Sequence, residues 1–101
     1  MVTNLFRISS ATTGVVGKEK ITYSIGNSFS GTIHPLSRED YIKRYSSDSY
    51  RDNSNYTLLS IESLNIGNIL YDGSKFYKVI GFLAGRYRNT ADIQEVTNVK
   101  L

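Results

Sequence analysis

The run Ile69-Leu70-Tyr71-Asp72-Gly73-Ser74-Lys75-Phe76-Tyr77-Lys78-Val79-Ile80-Gly81-Phe82-Leu83 holds two apolar segments around an Asp-Gly pair. That pair is a strong hairpin signal, and Ser74 lengthens the loop beyond two residues. Phe76 to Leu83 is the most hydrophobic strand of the chain. Tyr77, Val79 and Leu83 share one face, against Phe76, Lys78, Ile80 and Phe82. Both faces are partly apolar, which predicts a central strand, and Gly81 predicts a bulge or a close crossing.

The flanking sequence continues in strands. Tyr56 to Ser60 reads as one, and Leu64 to Asn68 leads into Ile69. Gly85 to Ala91 turns the chain, and Asp92 to Val99 supplies a closing strand through Ile93 and Val96. Nearer the N-terminus, Thr3 to Ser9 is a short strand and Ser10 to Gly17 a small, polar, Gly-punctuated loop. Lys20 to Ile25 alternates cleanly, with Ile21, Tyr23 and Ile25 on one face. Gly26-Asn27-Ser28 reads as a turn, after which Phe29, Gly31 and Ile33 keep a period of two as far as Pro35.

One segment has helical character, Arg38 to Tyr45. Ser37 is suited to N-cap it, and Glu39 and Asp40 match the positive end of a helix. Asp40 stands where a capping box carries the longer Glu or Gln. About two turns cannot stand alone, so Tyr41, Ile42 and Tyr45 are expected to pack on a sheet. The result is a mainly β protein, a small antiparallel β-barrel with one short α-helix, in a single domain over 1–101 with a polar loop around 46–55. A barrel hides strand edges that so small a chain has no second layer to cover.

Composition supports a globular domain. Among 101 residues there are 8 Tyr and 4 Phe, no Trp, no Cys and one Pro, with a net charge of +3. Tyr suits half-buried sheet faces, and without cysteine there is neither a disulfide framework nor a thiolate metal site. The first residues lack a basic region followed by an apolar stretch, so no secretory signal is expected. No window approaches the ~20 apolar residues of a membrane-spanning helix, so no membrane partner is expected. Without a secretory signal, the Asn55-Tyr56-Thr57 glycosylation pattern reads as chance.

The residues give little support to an enzyme. His34 is the only histidine, which excludes multi-His metal sites and Cys-His pairs. Glu39 and Asp40 belong to a helix start, and Glu62, Asp72, Asp92 and Glu95 read as strand-end or turn residues. Gly14-Val15-Val16-Gly17-Lys18 lacks phosphate-loop spacing. No catalysis, cofactor or metal is expected. Ser46 to Asn55, with one aromatic residue, is either a flexible surface loop or a segment that orders against a partner. Arg86-Tyr87-Arg88, with Lys75 and Lys78 nearby in sequence, is either a solvated hairpin end, a contact for an acidic neighbour, or a basic aromatic surface for nucleic acid.

The segment Gly31-Thr32-Ile33-His34-Pro35-Leu36-Ser37-Arg38-Glu39-Asp40, then Tyr56-Thr57-Leu58, Leu64 to Ile69, Asp72-Gly73 and Phe76 to Gly81, resembles the stopper or head-completion proteins of tailed phages. The similarity lies in the order of short motifs over roughly Phe29 to Leu83. Asn68 stands where an acidic residue is frequent, and His34 where a Gln-like residue is.

The resemblance implies a structural virion protein of the head-tail connector, located at the virion neck and synthesised in the host cytoplasm. Its implied partners are neighbouring copies in a twelvefold ring, a head-side adaptor or portal assembly, a tail-side terminator protein, and packaged DNA passing through the channel. Candidate channel or ring-contact residues are Ser46, Asp48, Tyr50, Arg51 and Asp52, or Lys18, Lys20 and Tyr23 in a hairpin over Val16 to Asn27. Arg86 and Arg88 form the candidate basic surface. The alternatives are a small basic barrel that binds nucleic acid and a tail-completion or baseplate-associated virion protein.

Overall fold

A computed structural model describes residues 2–51 and 54–101. Six strands close into an antiparallel barrel: β1 (Val2–Thr13), β2 (Lys20–Pro35), β3 (Asn55–Ser60), β4 (Ile69–Tyr71), β5 (Phe76–Leu83) and β6 (Asn89–Val96). Their order around the barrel is β1-β2-β3-β6-β5-β4. Among the described residues, one α-helix, α1 (Arg38–Ile42), and a 3-10 turn (Ser47–Ser49) lie between β2 and β3.

Alternation fills the barrel. Leu5, Leu58, Leu70, Val79 and Ile93 are fully buried, one from each of β1, β3, β4, β5 and β6. Phe29 adds the contribution of β2 to the same cluster. Gly31 permits close packing there, because a Cβ would stand 2.6 Å from the Leu58 Cδ1. Each buried aliphatic side chain contributes about 1.5–3 kcal/mol by leaving water.

The β4–β5 hairpin forms as its sequence predicts, with Gly73 at φ +100° in the four-residue loop. Asp72 organises that loop. Its Oδ1 accepts from the Ser74 and Lys75 amides at 2.9 and 2.7 Å, and its Oδ2 from the Tyr77 hydroxyl at 2.9 Å. Partial burial pushes the Asp72 carboxyl up, but these donors outweigh it and hold it below the ordinary carboxylate value. A depressed folded value means the stabilisation is complete above the unfolded pKa and is lost as pH falls through the folded one. Between about pH 5 and pH 2, the parent should therefore lose more stability than Asp72→Asn in paired urea titrations. Equal losses would show that the carboxylate does not hold the loop.

The bulge at Gly81 is present: Val79 opposes Ile93 and Gly81 opposes Asp92, so Ile80 is the extra residue. The bulge shifts the facing pattern, so Phe82 packs on the core while Leu83 is exposed.

Several local readings are corrected. Ser10 to Thr13 continues β1 rather than forming a loop. Gly26-Asn27-Ser28 is not a turn but lies inside β2, where Gly26 and Asn27 together oppose Arg7 in a bulge. Ile42 is exposed, leaving Tyr41 as the buried residue of α1. The last connection spans 84–88, and β6 begins at Asn89 and ends at Val96. As expected, Ser37 caps α1, its Oγ accepting from the Asp40 amide at 3.2 Å.

Candidate assembly surfaces

The barrel accounts for only part of β1 and β2. β4 joins β1 at Phe6–Ile8, and β3 joins β2 at Gly31–Pro35. Beyond those contacts, Ser9–Thr13 pairs among the described residues only with Lys20–Ser24. A two-stranded ribbon therefore stands out by about 17 Å at the usual rise per residue. The radius of gyration, 14.4 Å, exceeds the ≈13 Å of a compact chain of this length for the same reason.

Three of the sequence candidates, Lys18, Lys20 and Tyr23, fall on this ribbon. Its turn uses Gly14 at φ +111° and Gly17 at φ +86°, with the Lys18 amide donating to the Val15 carbonyl at 2.8 Å. Val15 and Val16 are presented to solvent at the tip, Val16 at 94% exposure. Hydroxyls tie the two strands: Ser9 to Ser24 at 2.8 Å, and Thr22 to the Ala11 carbonyl at 3.3 Å.

The other candidate group lies at the opposite end of β2. Tyr50 lines a groove with Pro35, Leu36 and Ser37. Ser46 caps the 3-10 turn by accepting from the Asp48 amide, and Asp48 is exposed. This segment is anchored to the rest of the fold. The Tyr50 ring meets Tyr41 edge-on at 5.4 Å, and the Arg38 guanidinium lies 6.0 Å from it. Asn55, buried, donates to the Arg51 carbonyl, and Gln94 donates to the Ser49 carbonyl. Asp52 lies outside the described residues.

Asp92 is the residue that the linear sequence hides. It is 6% exposed, and its Oδ1 and Oδ2 each lie 2.8 Å from Arg44 Nη1. The Tyr45 hydroxyl donates to Oδ2 at 2.7 Å, and the Thr57 hydroxyl to Oδ1 at 3.4 Å. Burial, and then the bond to Asp92, pushes the Tyr45 hydroxyl well above the ordinary phenol range, so it remains a donor. Gly81 leaves room for it, since a Cβ there would collide with that hydroxyl. The arm from α1 to Tyr50 is thus tied to β6 across the sheet. A cleft of about 470 Å³ opens beside this knot, and the Arg44, Tyr45 and Asp92 side chains that line it are bonded to one another.

Arg86 and Arg88 are exposed beyond β5, with Arg86 over the Tyr87 ring at 5.5 Å. Lys75 does not join them. It sits at the other end of β5, about 23 Å away along the strand, and pairs with Glu95 at 3.3 Å. With Lys75 engaged there, the exposed group just beyond β5 is the two arginines and Tyr87, and Lys78 is exposed within β5 itself. Among the described residues no cluster of three His, Cys, Asp or Glu side chains is placed to hold a metal ion. None of the described helices is long and apolar enough to cross a membrane.

The fold is a small antiparallel six-stranded barrel with one short helix, extended by a projecting two-stranded ribbon. No family model, curated protein or solved structure matches the chain.

Proposed function

We propose that this chain is a structural subunit of a tailed-phage head-tail connector, placed in a ring between the DNA-filled head and the tail. The observation that carries the assembly part of this reading is the β1–β2 ribbon. A two-stranded hairpin is marginal alone in water, yet this one is held away from its barrel with Val15 and Val16 exposed at the tip. Such an element gains most when a neighbour covers it. The order of motifs from Gly31 to Gly81 supplies the connector part, by resemblance to stopper and head-completion proteins. Ring neighbours, a head-side adaptor, a tail-side terminator and packaged DNA are its proposed partners.

The test is made on particles. An antibody to the chain should label the junction of head and tail in purified virions. Val15→Asp with Val16→Asp should leave the isolated barrel folded but yield heads that lack tails or lose DNA. Absence of the chain from particles would sink the connector reading. Sequence-selective nucleic-acid binding that depends on Arg86 and Arg88 would favour the nucleic-acid alternative instead.

A further inference from the structure

The ribbon leaves two strand edges open. On β1 the open stretch is Ser9–Thr13, because β4 stops at Ile8. On β2 it runs from Lys20 to Ser30, because β3 begins at Gly31. The C-terminal Lys100 and Leu101 share a shallow groove with Lys20–Tyr23, yet among the described residues no backbone hydrogen bond joins them to β2. Open edges are rows of backbone donors and acceptors that template another strand, and proteins usually blunt them with charge or proline. From Ile8 to Ser30 there is no proline, and the only charged side chains are Lys18, Glu19 and Lys20, at the turn. Past Lys20, and apart from Lys100 and Leu101 beside Lys20–Tyr23, the edges carry neither charge nor proline.

We propose that ribbons of adjacent copies join edge to edge, the Ser9–Thr13 edge of one copy pairing antiparallel with the Lys20–Ser30 edge of the next. This rests on the assembly reading above and names its contact. Strand direction favours it. β1 and β2 run oppositely within a copy, so copies set side by side in one orientation bring β2 against an antiparallel β1. Each copy then gives one edge and receives one. That is a heterologous contact, which closes into a ring when the rotation allows. A two-fold pairing of like edges would satisfy one edge and leave the other exposed in every copy.

The faces also fit. Ser10 opposite Tyr23 and Thr12 opposite Ile21 lie on one face, beside Ile8 and Ile25. Ser9, Ala11 and Thr13 lie on the other, opposite Ser24, Thr22 and Lys20. Because side chains alternate, slipping the register by one residue would mix apolar and hydroxyl faces. The joined sheet keeps Ile21, Tyr23 and Ile25 together, so Ala11 meets Thr22 or Ser24 of the next copy and never Tyr23.

The chain has no cysteine, so single-cysteine variants report contacts directly. Tagged Ala11→Cys is mixed with untagged Thr22→Cys or Ser24→Cys at the highest soluble concentration and oxidised. A mixed disulfide dimer is expected with at least one of these and little with Tyr23→Cys, since bridging requires Cα atoms within about 7 Å. Adding Ser10→Lys and Thr12→Lys should lower the yield about tenfold by placing charges along the edge, while the circular-dichroism melt keeps its midpoint. Ala11→Cys forming mainly homodimers would overturn the proposal in favour of a two-fold contact. Cross-links that ignore face parity or survive the lysines, or no mixed dimer at all, would also overturn it. Chain missing from particles while the cross-links hold would remove the connector reading alone.

Discussion

Val79→Asp is expected to leave the chain without a cooperative fold. Val79 is fully buried in the middle of β5, inside the cluster that joins all six strands. Its backbone is equally committed: its amide donates to the Asn68 carbonyl at 2.9 Å, and its carbonyl accepts from the Gly67 amide at 2.8 Å. These bonds clamp the loop before β4, so the side chain has no route outward without breaking them. A carboxylate held there costs several kcal/mol or takes up a proton, against a total of about 5–15 kcal/mol for a small domain. The control is Val16→Asp, the same substitution at the exposed ribbon tip, where the melt should be unchanged. Amide dispersion in a proton NMR spectrum and a thermal melt separate the two. Similar midpoints for both variants would show that the barrel centre lies elsewhere.

How much of this could be read from the sequence depended on how local each cause was. The β4–β5 hairpin was legible because Asp72-Gly73, the apolar runs and Gly81 all act over a few residues. The start of α1 was legible for the same reason, through Ser37 and the acidic first turn. Gly26-Asn27 was misread because those residues suit a turn and a bulge equally, and only the pairing with Arg7 across β1 distinguishes them. Ser10–Thr13 looked like a loop because small polar residues carry no burial signal, and pairing with Lys20–Tyr23 makes it a strand. The open edges of the ribbon that carries Lys18, Lys20 and Tyr23 were not legible. An edge is defined by where β3 and β4 stop, which no window around the ribbon contains.

Asp92 shows the same limit at larger cost, because its partners Arg44 and Tyr45 precede it by 48 and 47 residues. Asp92→Ala is expected to destabilise the chain by about 2–3 kcal/mol, below the range for a fully buried pair because Arg44 can turn to water. The loss should be uneven. Hydrogen exchange should quicken over 38–50 first, since the knot ties that arm to β6 while the core cluster is untouched. Asp92→Asn keeps an acceptor for the Tyr45 hydroxyl but drops the charge facing Arg44, so it should lie between Ala and the parent. Gly81→Ala supplies an independent approach, because its methyl would displace the same hydroxyl from the other side. If the knot is one unit, combining Gly81→Ala with Asp92→Ala should cost clearly less than the sum of the two. Strict additivity, or an Asp92→Ala midpoint within error of the parent, would show that the arm is held instead by the packing of Tyr41 on Tyr45 and Tyr50 and by the bond from Gln94 to the Ser49 carbonyl. In that event the buried carboxylate would be a passenger of the bulge at Gly81, and the side-chain tie of the arm to β6 would run through Gln94.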